Sequence, residues 1–230
     1  MSRLKLNSPI VLLSGCVGFG EEYTRIEGFS NAAVGAIVLK GTTLAPRLGN
    51  PPHRVWETPA GMLNAIGLQN PGVEYVVSTI LPTLDFKETR FIANVCGSTI
   101  EEYAEVTRRF DDSPIDAMEI NISCPNVKEG GVAFGNYPDM SARVVAACRA
   151  VTKKPLITKL SPNQTDIRAN ARACIDAGTD AFAKRYPKAV VRNFDGKPGA
   201  PTEMDALVAY LQMLGTLVDF KLYNEKANLR

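Results

Sequence analysis

Short apolar runs recur along residues 9–182, each leading into a glycine-rich or polar segment and then into apolar residues at helical spacing. The runs at 9–14 (PIVLLS), 35–40 (GAIVLK), 90–95 (RFIANV), 116–123 (DAMEINIS) and 155–160 (PLITKL) have the length and β-branched content of strands. After the third run, Ser98-Thr-Ile-Glu101 has the order of a capping box and predicts a helix over 98–111. Helices are predicted likewise over 140–152 and 165–177. Gly178 is expected to cap the last of these, and 179–182 to open a sixth strand.

Strands alternating with helices imply parallel pairing through right-handed crossovers. A doubly wound open sheet and a (β/α)8 barrel both satisfy that pattern, and the polar residues favour the barrel. Ser14, Lys40, Asn94, Asn121, Ser123 and Lys159 all fall at or near the C-terminal ends of their runs. A barrel gathers those ends at one mouth, whereas an open sheet spreads them along an edge. The expectation is an α/β fold of (β/α)8 type, carried only as far as five or six β/α units.

Composition narrows the chemistry. The 230 residues are 45% hydrophobic and 22% charged with net charge +2, ordinary for a globular chain and no electrostatic case for nucleic acid. The longest apolar stretch, 207–218, is too short for a membrane span and contains Gln212, Gly215 and Thr216. The start of the chain has no apolar core of signal-peptide length, so a cytoplasmic location is expected. Five scattered cysteines without a C-x-x-C pair read as reduced thiols. A single histidine, His53, excludes histidine-based zinc sites and Ser-His-Asp triads by count, and no metal is expected.

Candidate chemistry therefore rests on cysteine, lysine, amides and a cofactor. In Glu119-Ile-Asn-Ile-Ser-Cys-Pro-Asn126 a thiol followed by proline leaves a strand for a loop, between Asn121 and Asn126. A cysteine is most often an inert small hydrophobe; two flanking amides able to orient a planar polar ligand make Cys124 a candidate for proton abstraction. Lys40 and Lys159 end apolar runs, where each is either a snorkelling lysine or a fixed charge for a carboxylate or a reduced flavin ring. Asn64, Ala65, Ile66, Gly67 and Leu68 form a loop able to hold a small ligand by its backbone. Residues 15–20 (GCVGFG) only superficially match a phosphate loop. His53 reads as a loop residue.

With these residues in view, 9–182 resembles the catalytic subunit of class 1 dihydroorotate dehydrogenase, nearest the NAD-linked 1B type. The resemblance is carried by Ser14-Gly15, LKGTTLAPRLGNPPHRVWETPAGMLNAIGLQNPG (39–72), NVCGSTIEEY (94–103), EINISCPNVKEGG (119–131) and ITKLSPN (157–163). It implies an FMN-containing barrel that oxidises dihydroorotate to orotate in pyrimidine synthesis, with Cys124 as the base. It also implies substrate contacts at Lys40, Asn64 to Leu68, Asn121 and Asn126. Flavin contacts are implied at Ser14, Lys40, Gly41, Asn94, Asn121 and Lys159. An FAD and iron–sulfur partner subunit and an oligomer are implied as well.

The character of the chain changes after Phe182. Residues 183–230 hold eight Lys/Arg against five Asp/Glu and open with a turn-rich stretch. A helix is predicted from Thr202, with Leu207, Tyr210, Leu211, Leu214 and Val218 at helical spacing. That face fits either intramolecular packing or a partner. The segment resembles the C-terminal end of the mono-haem subunit of cbb3-type cytochrome c oxidase, without its haem motif or anchor. The expected organisation is thus 1–182 as a partial barrel and 183–230 as an unrelated tail, with no family-like β/α units bearing phosphate loops after 182 and hence weak FMN binding. A catalytically inactive fusion product and an oxidase-associated protein acting through the tail remain the alternatives.

Overall fold

The computed structural model describes residues 4–123, 132–164 and 166–185. Within them seven strands follow one another: β1 (Val11–Leu12), β2 (Ala36–Thr42), β3 (Val55–Thr58), β4 (Gly61–Asn64), β5 (Arg90–Val95), β6 (Ala117–Asn121) and β7 (Leu156–Lys159). The helices are α1 (Val73–Tyr75), which widens into a turn over Val76–Ile80, then α2 (Ile100–Asp111), α3 (Val132–Gly135), α4 (Pro138–Val151) and α5 (Ile167–Arg185). Five strands join in the order β1-β2-β5-β6-β7, every neighbouring pair parallel. This is the half-barrel that the alternating pattern predicts.

The two faces of the sheet are built from alternate residues, as a pleated strand requires. Ile37, Leu39, Phe91, Ala93, Val95, Met118, Ile120 and Ile122 face the helices and form one continuous core with Tyr103, Val106 and Phe110 of α2 and Val144, Val145 and Cys148 of α4. Each large side chain fully buried there contributes about 1.5–3 kcal/mol. The residues between them face the other way. Ala36, Val38, Ile92 and Ala117 make a separate inner cluster with Leu4, Leu6 and Val11.

Several expectations need correction. The helix after β5 is capped by Thr99, not Ser98: the Thr99 hydroxyl accepts from the Glu102 N–H at 3.2 Å, and the Glu102 carboxylate accepts from the Ser98 N–H at 2.7 Å. The capping logic holds one residue later, because Thr-Ile-Glu-Glu offers the same spacing from Thr99. Gly178 does not stop α5, which runs on to Arg185, so 179–182 is not a strand. Gly178 has no positive φ, and a Cβ there would meet only Val145, at 3.8 Å. A strand needs a paired neighbour, whereas Asp180-Ala-Phe-Ala-Lys-Arg can extend a helix on its own hydrogen bonds. Residues 55–63, for which the pattern predicts no element, form with Asn64 the antiparallel β3–β4 hairpin about Pro59-Ala60. Its strands lack clean alternation, and Pro-Ala is not a common two-residue hairpin signal.

Candidate functional site

On the inner face, apolar character gives way to polar character from one end of the strands to the other. The N-terminal half carries the Ala36, Val38, Ile92 and Ala117 cluster. Toward the C-terminal ends, register pairs Gly41 with Asn94, Asn94 with Glu119, and Asn121 with Lys159. Asn94, Glu119 and Asn121 are all buried. Burying polar groups is costly unless they are hydrogen-bonded, and these bond to one another.

The bonds form a directed chain. The Asn94 amide Nδ2 donates to Glu119 Oε1 at 2.5 Å, and Asn121 Nδ2 donates to Asn94 Oδ1 at 3.1 Å. Asn94 Oδ1 also accepts from the Cys96 thiol at 3.3 Å. Asn121 Oδ1 accepts from the Ser123 N–H at 3.2 Å and its hydroxyl at 3.0 Å. Burial pushes the Glu119 carboxyl up, with the Lys159 ammonium and the Asn94 amide pulling against it. From the helix side, the Tyr103 hydroxyl donates to the Asn121 carbonyl at 2.7 Å, fixing the end of β6. A Cβ on Gly41 would lie 3.0 Å from both Asn94 Oδ1 and Cys96 Sγ, so the close approach of β2 to this chain depends on glycine.

The loop read from Asn64 to Leu68 lies beside this end of β2, since a Cβ on Gly41 would lie 3.3 Å from Leu68 Cδ2. Asn64 ends β4, Gly67 and Leu68 have positive φ, and Gly67 is buried. Asn70, which sequence reasoning passed over, organises the loop. Its Nδ2 donates to the Leu68 carbonyl at 2.7 Å and the Thr43 hydroxyl at 2.9 Å; its Oδ1 accepts from the N–H groups of Thr43 and Gly72. Asn50 grips the loop's other end, through its N–H to the Ile66 carbonyl and its amide to the Ala65 carbonyl.

The segment 15–20 is tied to β2 through the Lys40 N–H, which donates to the Gly18 carbonyl at 2.7 Å. Its N–H groups at Phe19 and Gly20 are taken by the Glu22 carboxylate at 2.8 and 3.0 Å. Burial acts to raise the Glu22 pKa, and those backbone donors outweigh it, leaving the carboxyl below its ordinary value. The chain's own carboxylate thus holds this anion-binding turn, which is not a phosphate loop. Half-buried Ser14 lies just beyond β1, bridged to Val17.

The structure therefore brings Gly41, Asn94, Asn121 and Leu68 together, with Lys159 beside Asn121 at the end of the neighbouring strand and Lys40 next to Gly41 in β2. Cys124 and Asn126 lie outside the described residues. Glu119 stood in the sequence beside Asn121 but had no assigned role. Its signal was a carboxylate two residues before an asparagine on an otherwise apolar strand, which places both on one face. Cys96 and Asn70 had no comparable signal.

The remaining thiols do not make a second site. Burial pushes both Cys148 and Cys174 up to about 11. Among the described residues no three His, Cys, Asp or Glu converge to hold a metal, and no helix is long and apolar enough to cross a membrane. The donor set does fit a flavin ring: amide groups and lysines at adjacent strand ends offer N–H donors to its electron-rich carbonyl edge.

Comparison with known proteins identifies relatives of this chain. The family model described as "Dihydroorotate dehydrogenase" matches residues 1–186. The catalytic subunit of dihydroorotate dehydrogenase B (NAD(+)) from Anoxybacillus flavithermus is 49% identical over 199 residues, covering 86% of this chain and 63% of that protein. The subunit of the same name from Desulforudis audaxviator is 52% identical over 184 residues, covering 80% and 59%. The chain thus matches about three-fifths of the length of these relatives. A crystal structure of DHODH from Eimeria tenella in complex with ferulenol aligns with TM-score 0.59 at 20% identity, covering 74% of this chain and 54% of that one, and shares its fold. By its sequence, this chain belongs to the dihydroorotate dehydrogenase family.

Proposed function

We propose that this chain serves the FMN-dependent oxidation of dihydroorotate to orotate in pyrimidine biosynthesis. The observation that carries the reading is the convergence of Gly41, Asn94, Glu119, Asn121 and Lys159 at the C-terminal ends of four adjacent strands, in a chain of this family. Lys40, Gly41, Ser14, Asn94, Asn121 and Lys159 would hold the flavin ring, which when bound supplies the two-electron acceptor. Lysine is suited to the electron-rich edge of that ring, since it keeps a compact charge on a flexible stem.

Dihydroorotate loses a proton from C5 and a hydride from C6. We assign the C5 proton to Cys124, which follows Ser123 at the end of the Asn94–Asn121 chain. Asn64 to Leu68, Asn121, Asn126 and Lys40 would orient the substrate carboxylate and ring amides. An electron-transfer subunit carrying FAD and iron–sulfur groups would take the electrons onward in the cytoplasm; the words "NAD(+)" and "catalytic subunit" in the relatives' names support a further subunit.

We read 183–230 as a tail distinct from the barrel segment 1–182, resembling the end of an oxidase subunit. The family match ends at residue 186, near that boundary, while the 199-residue match to the Anoxybacillus flavithermus subunit runs beyond it. The test is anaerobic mixing of the full chain, loaded with FMN, with dihydroorotate. The flavin band should bleach with release of orotate, and Cys124→Ser should slow bleaching by about 10²-fold or more. Bleaching at an unchanged rate in that variant would overturn the assignment of the base. No bleaching in an FMN-loaded wild-type chain would overturn the activity.

A further inference from the structure

The two buried asparagines at the strand ends could in principle present either an N–H or a carbonyl to a ligand. An amide carries two donors and an acceptor oxygen, so its orientation decides what it recognises. Here the orientation is fixed from both ends of the chain. At one end the Ser123 backbone N–H is an obligatory donor and holds Asn121 Oδ1 at 3.2 Å. Asn121 Nδ2 must then face Asn94, whose Oδ1 receives it at 3.1 Å. Asn94 Nδ2 is thereby turned to Glu119, whose Oε1 accepts it. The Cys96 thiol takes further capacity of the Asn94 oxygen, and the Ser123 hydroxyl takes that of Asn121.

We infer that Glu119 is a positioning residue that commits Asn94 and Asn121 to act as hydrogen-bond donors, so that this strand-end surface selects ligands presenting an acceptor-rich edge. The inference rests on the flavin reading above and adds the specificity of the same surface. Both amide oxygens are consumed inside the chain, while one N–H of each amide lies outside it. With Lys40 and Lys159 on flanking strands also donors, the surface matches the carbonyl and carboxylate oxygens of a ligand.

Glutamate is suited to this task in a way that glutamine is not. Glu119 accepts from Asn94 while its charge is felt by Lys159. A glutamine has one oxygen for these two cationic or donor neighbours. It must set its NH2 against either the Lys159 ammonium or the Asn94 amide, so neither orientation is satisfied. Aspartate is one methylene shorter and would withdraw from Asn94.

The test uses the full chain labelled with ¹³C and ¹⁵N. Scalar couplings across hydrogen bonds should link Asn94 Nδ2–H to the Glu119 carboxyl carbon, and Asn121 Nδ2–H to Asn94 Cγ. Coupling in the reverse sense, Asn94 Nδ2–H to Asn121 Cγ, would overturn the inference without reference to any ligand. In Glu119→Gln the two side-chain amide signals should each split into two sets. FMN followed by visible absorbance should then bind roughly tenfold more weakly, since about 1.4 kcal/mol is a factor of ten. A single unshifted amide set with unchanged FMN affinity would also overturn it. Forward couplings in a wild-type chain that leaves the FMN spectrum unperturbed would uphold the donor assignment and sink the flavin reading instead.

Discussion

The two ends of one parallel sheet bury polar groups in opposite ways. Around the N-terminal ends, Lys154 donates to the backbone carbonyls of Phe110, Ser113 and Ile115, so its three protons meet three fixed acceptors. Asp116 likewise spends its carboxylate on the Phe91 N–H and the Arg90 guanidinium. Those groups close on the scaffold itself, tying the end of α2 to the starts of β6 and β7. At the C-terminal ends, Glu119, Asn94 and Asn121 satisfy one another in sequence and still retain amide protons beyond the chain. Polar groups saturated by backbone hold a fold together; polar groups bonded in a chain of amides hold a recognition surface in one orientation. The difference lies in unused hydrogen-bonding capacity and in depth, since Asn94, Glu119 and Asn121 are buried while Lys154 and Asp116 are only partly so.

Substitutions at the two ends should separate stability from binding. The largest effect is expected at Lys154→Met, which takes the ammonium from the Ser113 and Ile115 carbonyls while Phe110 keeps the Ser113 N–H and hydroxyl, and should lower stability by roughly 3 kcal/mol in urea unfolding. FMN affinity of the folded fraction should stay unchanged; a loss there would break the division. Asn70→Ala strands the N–H groups of Thr43 and Gly72 and should cost about 2 kcal/mol, with faster proteolysis in the 64–68 loop. Gly41→Ala drives a methyl group to 3.0 Å from Asn94 and Cys96, and should cost about 1–2 kcal/mol while disturbing the side-chain amide signal of Asn94.

The smallest effects are pH slopes, and two carboxylates should give opposite signs. Glu119 has a folded pKa above its unfolded value, so its favourable contribution is present at acid pH and is lost as pH rises through the folded value. Stability of Glu119→Gln relative to wild type should therefore improve from acid to neutral pH. Glu22 has a lowered folded pKa, so its contribution is present above the unfolded value and is lost as pH falls. Glu22→Gln should lose ground at neutral pH and regain it in acid. Urea midpoints across that range check both, and equal slopes in the two variants would contradict the assigned environments.

Much of this architecture was legible in the sequence because each strand states its own face. Residues 90–95 coincide with β5, and Asn94 stands out there as an amide among apolar residues. The predicted gathering of Asn94, Asn121 and Lys159 follows from parallel register, which aligns strand ends whatever the loops between them do. The C-terminal boundary of α5 was not legible, because Gly178 can stop a helix or pass through one, and only tertiary context decides. Glu119 was visible and its role was not, since a carboxylate on a strand takes its meaning from the strand beside it. Asn70 was hidden for the same reason: its partners at Thr43 lie 27 positions away in the chain.

The most direct test of the account is a backbone and side-chain chemical-shift map of the full chain titrated with FMN. Shifts should gather at Gly41, Asn94, Asn121 and Lys159, while Arg90, Asp116 and Lys154 stay in place. Shifts gathered around Lys154 and Asp116, or none in a folded chain at saturating FMN, would contradict the assignment of the C-terminal strand ends as the flavin-binding surface.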